Sequence, residues 1–152
     1  MSDYTIYSDD ANKVRRLMAA YQASVKCEYV VLCHRDGNIV AEVGTLGSDL
    51  DATPLAVLSI AAFDSSRQIG VMLGGENFQS VSFTGENRSV YISPVDQSLL
   101  LVQVFNAGRL PNRIDDFNRL LVEKLEEAVP AFTQNTSSLV RSGGLWLASF
   151  RH

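Results

Sequence analysis

The 152-residue sequence contains two histidines and two cysteines, a scarcity that removes most metal and nucleophile chemistry before any motif is sought. His34 and the terminal His152 are far apart in the chain, and Cys27 and Cys33 do not form the close-spaced pair of a zinc site. The two cysteines flank a predicted strand, where a rise of about 3.3 Å per residue separates them by roughly 20 Å. A disulfide requires Cα atoms within about 7 Å, so they read as buried thiols of a reducing compartment.

Long apolar runs are also missing. No stretch of about 18 uncharged apolar residues occurs, and the opening MSDYTIYSDD has no basic segment leading into an apolar one. These absences predict a cytoplasmic protein with no signal peptide and no membrane insertion, in which Asn87-Arg-Ser89 and Asn135-Thr-Ser137 are chance glycosylation sequons. A basic cluster is absent as well: the net charge is −4, the pI is 5.1, and Arg15, Arg16, Arg88, Arg109 and Arg113 are scattered. Neither nucleic acid nor an anionic membrane surface is expected as a partner.

The phosphate-binding pattern GxxxxGK[ST] does not occur, and Gly70-Val-Met-Leu-Gly-Gly75 lacks its lysine, so it reads as a helix end. His34-Arg35-Asp36 matches a kinase triplet, but it sits on a hairpin turn without the rest of that signature set. Asp49 with Asp51 and Asp115 with Asp116 are explained by loop solubility and by the positive end of a helix dipole. Asp64-Ser-Ser66 has no histidine near it in sequence. No catalytic residue, cofactor site or metal site is predicted, and the chain is not expected to be an enzyme.

What is present fits one domain, since domains commonly run about 100–150 residues. The predicted domain spans residues 1–132, followed by a tail, 133–152, whose Leu139 to Phe150 is apolar for a free end. Ser8-Asp9-Asp10 opens a helix to about Val25 with Val14, Leu17, Met18, Tyr21 and Val25 on one face. A hairpin of Tyr29–Cys33 and Asn38–Val43 turns at Asp36-Gly37. Thr53-Pro54 opens a second helix ended by Gly74-Gly75. Strands at Phe78–Thr84, Ser89–Val95 and Ser98–Phe105 follow. A last helix opens near Pro111, sets Ile114, Phe117, Leu121, Leu125 and Ala128 on one face, and stops at Pro130.

The order α-β-β-α-β-β-β-α predicts an α+β fold. Two strands, YVVLC and LLLVQVF, are apolar throughout, as central strands covered on both faces are. With the short connections they give a five-stranded antiparallel sheet of order 2-1-5-4-3, one helix on one face and two on the other. The third strand, with Val81 and Phe83 alternating against serines, becomes an edge free to pair with another chain.

The second helix, ATPLAVLSIAAFDSSRQIG and beyond, has too many apolar faces for one sheet. Leu55, Leu58, Ala62, Ile69 and Leu73 are expected to cover the sheet. Val57, Ile60, Ala61, Val71 and Met72 form a second stripe, and a helix apolar all round is buried all round. Two coverings fit: a second copy packed about a two-fold axis, or the tail folded back. The frequency of two-fold homo-oligomers favours the first, which makes Val57, Ile60, Ala61, Val81 and Phe83 the expected dimer interface.

With these elements in place, CHRDGNIVAEVG, LAVLSIAAFDSSRQIGVMLG and SLLLVQVF resemble the roadblock/dynein light-chain family over about Ser8 to Phe132. The likeness is greatest to the bacterial branch typified by MglB, through Leu55 to Leu73-Gly-Gly-Glu-Asn-Phe78 and the opening Tyr4-Thr-Ile-Tyr7. The resemblance implies a roadblock/profilin-like α/β sandwich and a homodimer joined through the middle helix and edge strand into a ten-stranded sheet. It also implies GTPase activation of a small Ras-like GTPase in cell polarity or gliding motility, without an arginine finger from this chain. Carried over residue by residue, the GTPase platform is Ala61, Asp64, Ser65 and Gln68. MglB-like sequences have small residues where this chain has Asp64 and Gln68, and a glycine-containing lead-in where it has Arg109-Leu-Pro-Asn-Arg113. A non-catalytic scaffold that tethers a GTPase or motor complex is the alternative.

Overall fold

Burial on both faces sets the centre of the sheet. The computed structural model describes residues 8–47 and 51–129. Tyr4–Tyr7, Asp49, Pro130 and the tail at 133–152, with the expectations attached to them, lie outside the described residues. The elements are α1 (Ser8–Val25), β1 (Tyr29–His34), β2 (Ile39–Gly44), α2 (Ala52–Met72), β3 (Val81–Thr84), β4 (Ser89–Pro94), β5 (Leu99–Phe105) and α3 (Ile114–Ala128). The sheet is antiparallel with order β2-β1-β5-β4-β3. β5 is buried at every residue and β1 at all but His34, in keeping with their uninterrupted apolar sequences.

Residues of alternating parity on each strand feed two cores. On one face, Val30, Leu32, Leu99, Leu101 and Phe105 meet α1 and α3 through Val14, Met18, Leu121 and Leu125. On the other, Val31, Cys33, Leu100, Val102 and Val104 meet α2. The first face has one polar seam at its middle. The Tyr21 hydroxyl donates to Gln103 Oε1 at 2.7 Å, and Gln103 Nε2 and the Ser93 hydroxyl both donate to Asn118 Oδ1, at 2.8 and 3.0 Å. Gln103 is fully buried, so these partners replace the water it loses.

That seam corrects the expected face of α3. Asn118 faces the core, and Phe117, expected there, is 43% exposed. α3 also begins three residues later than the Pro111 start, because Arg113 adopts a left-handed conformation (φ 61°) that cannot continue a helix.

β3 is shorter than the Phe78–Thr84 expected. Val81 pairs with Ile92, and the same register would set Gln79 opposite Pro94. The Val95 N–H bonds to Leu99 O, so by the alternation of an antiparallel ladder residue 94 faces β3. Proline has no N–H to offer there, and the strand stops.

α2 ends on Gly74 and Gly75, both at φ near +90°, with the Gly75 and Glu76 N–H groups returning to Gly70 O at 3.0 and 2.9 Å. Gly70 is needed for a different reason: a Cβ there would lie 2.1 Å from Glu76 O. In an open helix Gly→Ala gains up to about 1 kcal/mol. Here Gly70→Ala is expected to lose about 1–3 kcal/mol by overpacking, read as a lower urea midpoint. A raised midpoint would show that the 74–78 turn yields freely.

Candidate functional site

The side of α2 that meets the sheet is built from small residues. Ala56, Ser59, Phe63, Ser66 and Gly70 are buried there, with Phe63 the single large wedge. The valines and leucines of the strands already fill the layer, so a flat helix surface packs most closely. The Ser66 hydroxyl is satisfied within the helix, donating to Phe63 O at 2.7 Å.

The expected assignment holds only in part. Leu55 and Ala62 pack partly buried against the sheet-side core, whereas Leu58, Ile69 and Leu73, also read as sheet-facing, are exposed. Ile60, read as part of the second stripe, packs half-buried against the core of its own chain. Val57 and Ala61 do face outward, joined by Leu58 at 69% and Met72 at 83% exposure. On the edge strand Phe83 is 53% exposed and Val81 is partly buried. The outer side of α2 is therefore an apolar ridge, of the kind that marks a protein-binding surface.

Ala61, Ser65 and Gln68, spaced i, i+4, i+7, lie together on this ridge and are exposed. Asp64 stands at its flank, where its carboxylate accepts from the Arg35 guanidinium of the β1–β2 turn. That ion pair gives His34-Arg35-Asp36 a structural role that its sequence did not reveal. The three arginines considered for partner contact divide: Arg88 bridges to Glu28 at 3.0 Å, Arg113 to Asp116 at 3.1 Å, and Arg109 is exposed.

Beside the ridge, where β3 stops short, a cleft of about 550 Å³ opens between α2, the end of β4 and the start of α3. No sequence pattern announced it, because its walls come from segments far apart in the chain. Arg35, Arg67 and Arg119 line it, with Phe63, Phe78 and Tyr91. Burial lowers the pKa of Arg67, and the charge of Arg35 adds to that effect while Asp64 opposes it. The Tyr91 hydroxyl donates to Asp115, and burial with that bond pushes its pKa to about 12, so it stays a donor at neutral pH.

The thiols of Cys27 and Cys33 are free and buried, and desolvation raises both to about 11. They are poor nucleophiles in that state. Among the described residues, no group of three or more His, Cys, Asp or Glu is placed to hold a metal ion, and no helix is long and apolar enough to cross a membrane.

No protein-family model matches the sequence, and no curated protein matches it. Solved structures do match by fold. The gliding protein MglB from Thermus thermophilus aligns with a TM-score of 0.73 at 19% identity, over 86% of this chain and 98% of that one. An MglB in a tetrameric arrangement aligns at 0.74 and 19%, with the same coverage. A Roadblock/LC7 domain from Streptomyces avermitilis aligns at 0.58 and 18%, over 81% of this chain and 97% of that one. With its sheet order, its single helix on one face and two on the other, the chain has the roadblock/LC7 fold in its MglB-like form.

Proposed function

We propose that this chain is a homodimeric GTPase-activating protein for a bacterial Ras-like small GTPase of the MglA type, acting in cell polarity or motility, with no active site of its own. The observation that carries the proposal is the ridge of α2. A single chain leaves Val57, Leu58, Ile69 and Met72 of α2 exposed to water. Part of that ridge, with the β3 edge at Phe83, is covered by the second copy. Ala61, Ser65 and Gln68, with Asp64 beside them, form the surface that the GTPase reads.

Activation in this scheme needs no arginine delivered in trans; the dimer holds the GTPase in the shape that completes its own site. The test is multiple-turnover GTP hydrolysis by the Ras-like GTPase of the same genome, with and without this protein. Acceleration of about tenfold or more is expected, below the roughly 10³–10⁵-fold that an arginine finger supplies. Binding with unchanged turnover would select a tethering scaffold in place of an activator, and neither binding nor acceleration would overturn both.

A further inference from the structure

The β1–β2 turn lies against α2 at two places. A Cβ on Gly37 would stand 3.5 Å from Val57 Cγ2, and Arg35 bonds Asp64, two helical turns beyond Val57 on the same side. Arg35 is anchored before it reaches across: its N–H donates to Ser98 O at 2.9 Å, and its side chain is only 8% exposed. The Asp64 side chain, by contrast, is 45% exposed. The guanidinium takes Oδ1 of that carboxylate, and Oδ2 accepts no hydrogen bond among the described residues. Turning the carboxylate away would strand a guanidinium in the interior, which is strongly destabilising, so the free oxygen is held outward.

The surface around it offers little net charge. The 21 residues of α2 hold one acid and one base, Asp64 and Arg67. The acid is matched within the chain, by Arg35 in contact and by the field of Arg67 in the next turn. Ala61, Ser65 and Gln68 beside it are uncharged and exposed. An incoming cation would face Arg35 and Arg67 as well as Asp64, and those like charges offset what it gains.

We propose that Arg35 is a positioning residue that fixes Asp64 as an oriented hydrogen-bond acceptor, and that the GTPase meets Asp64 Oδ2 with an uncharged donor, a backbone N–H or a hydroxyl. The inference rests on the reading of α2 as the GTPase platform and names the chemistry that the partner brings to it. An unpaired aspartate on an apolar ridge would have to shed its water to be covered, whereas one already paired and aimed needs a single donor.

The experiment titrates the GTPase, loaded with a non-hydrolysable GTP analogue, onto the wild-type protein, Asp64→Asn, Arg35→Met and the double variant. Calorimetry is run at about 50 mM and about 1 M salt, where the Debye length is about 3 Å, with a thermal melt on each protein. In Asp64→Asn the guanidinium keeps the amide oxygen, so an NH₂ group faces outward in place of the acceptor. Affinity is expected to fall about tenfold, the worth of roughly one hydrogen bond, and by the same factor at both salt concentrations. In the Arg35→Met background the amide is free to turn its oxygen outward, and the same substitution should cost less than about threefold. A merely structural Arg35 would not change that cost, so an equal cost in both backgrounds would remove it as the positioning residue. Equal affinity for wild type and Asp64→Asn would overturn the proposal while leaving the ridge as a platform, and no binding by the wild type would overturn both. A loss that shrinks within about twofold at 1 M salt would show that Asp64 is read as a charge, and would overturn the uncharged donor. If Arg35→Met does not fold, Asp64→Asn at the two salt concentrations still decides the acceptor.

Discussion

Leu58→Asp is expected to leave the chain folded and to turn the proposed dimer into monomer. Leu58 is 69% exposed in the single chain, so a carboxylate there meets water and costs the fold little. In the proposed dimer the same group would be buried without a partner, at about 3 kcal/mol or more. Each 1.4 kcal/mol is tenfold in affinity, so the dissociation constant should rise at least about 100-fold. Light scattering checks the mass and a thermal melt checks the fold. Ile60→Asp is the contrasting variant: because Ile60 packs against its own sheet-side core, its melting temperature should fall first. A Leu58→Asp protein that keeps the mass of two chains would move the interface off this ridge.

Phe63→Ala should be the most damaging single truncation on α2. Among the buried residues of that helix, Ala56, Ser59, Ser66 and Gly70 bring almost no volume, and Phe63, 3% exposed, fills the space between helix and sheet. Removing a buried phenyl ring typically costs about 3–5 kcal/mol, against a total stability of about 5–15 kcal/mol for a domain. Urea unfolding measures it, with Phe63→Leu expected to recover much of the loss. A loss below about 1 kcal/mol would mean that the helix is anchored elsewhere.

The elements, the strand order and the distribution of helices over the two faces were legible from periodicity and turn residues. The orientation of α2 was not. Hydrophobicity points Leu58, Ile69 and Leu73 inward, but that rule holds for a helix with one apolar neighbour. Here the sheet takes the smooth side, and the bulky side is left on the surface of the single chain. Asn118 was missed for a related reason, since this helix residue has its partners Gln103 and Ser93 on two strands and no local pattern links them. β3 was read too long because the proline that stops it sits on the neighbouring strand. The platform residues were placed by resemblance, whereas the Arg35–Asp64 pair and the cleft depend on tertiary approach across 29 positions of sequence or more.

Gln103 has a consequence for how the chain finds its fold. LLLVQVF is apolar on both sides, so sliding β5 by one residue against its neighbours would cost little by greasiness alone. Such a slip would turn the amide toward the α2 layer, away from Tyr21 and Asn118, and strand it between Val31 and Ile92 in the place that Val102 holds. One glutamine thus acts as the arrow that tells a nearly symmetrical strand which way up to dock, and it excludes a misfold that the apolar residues could not tell apart from the native state.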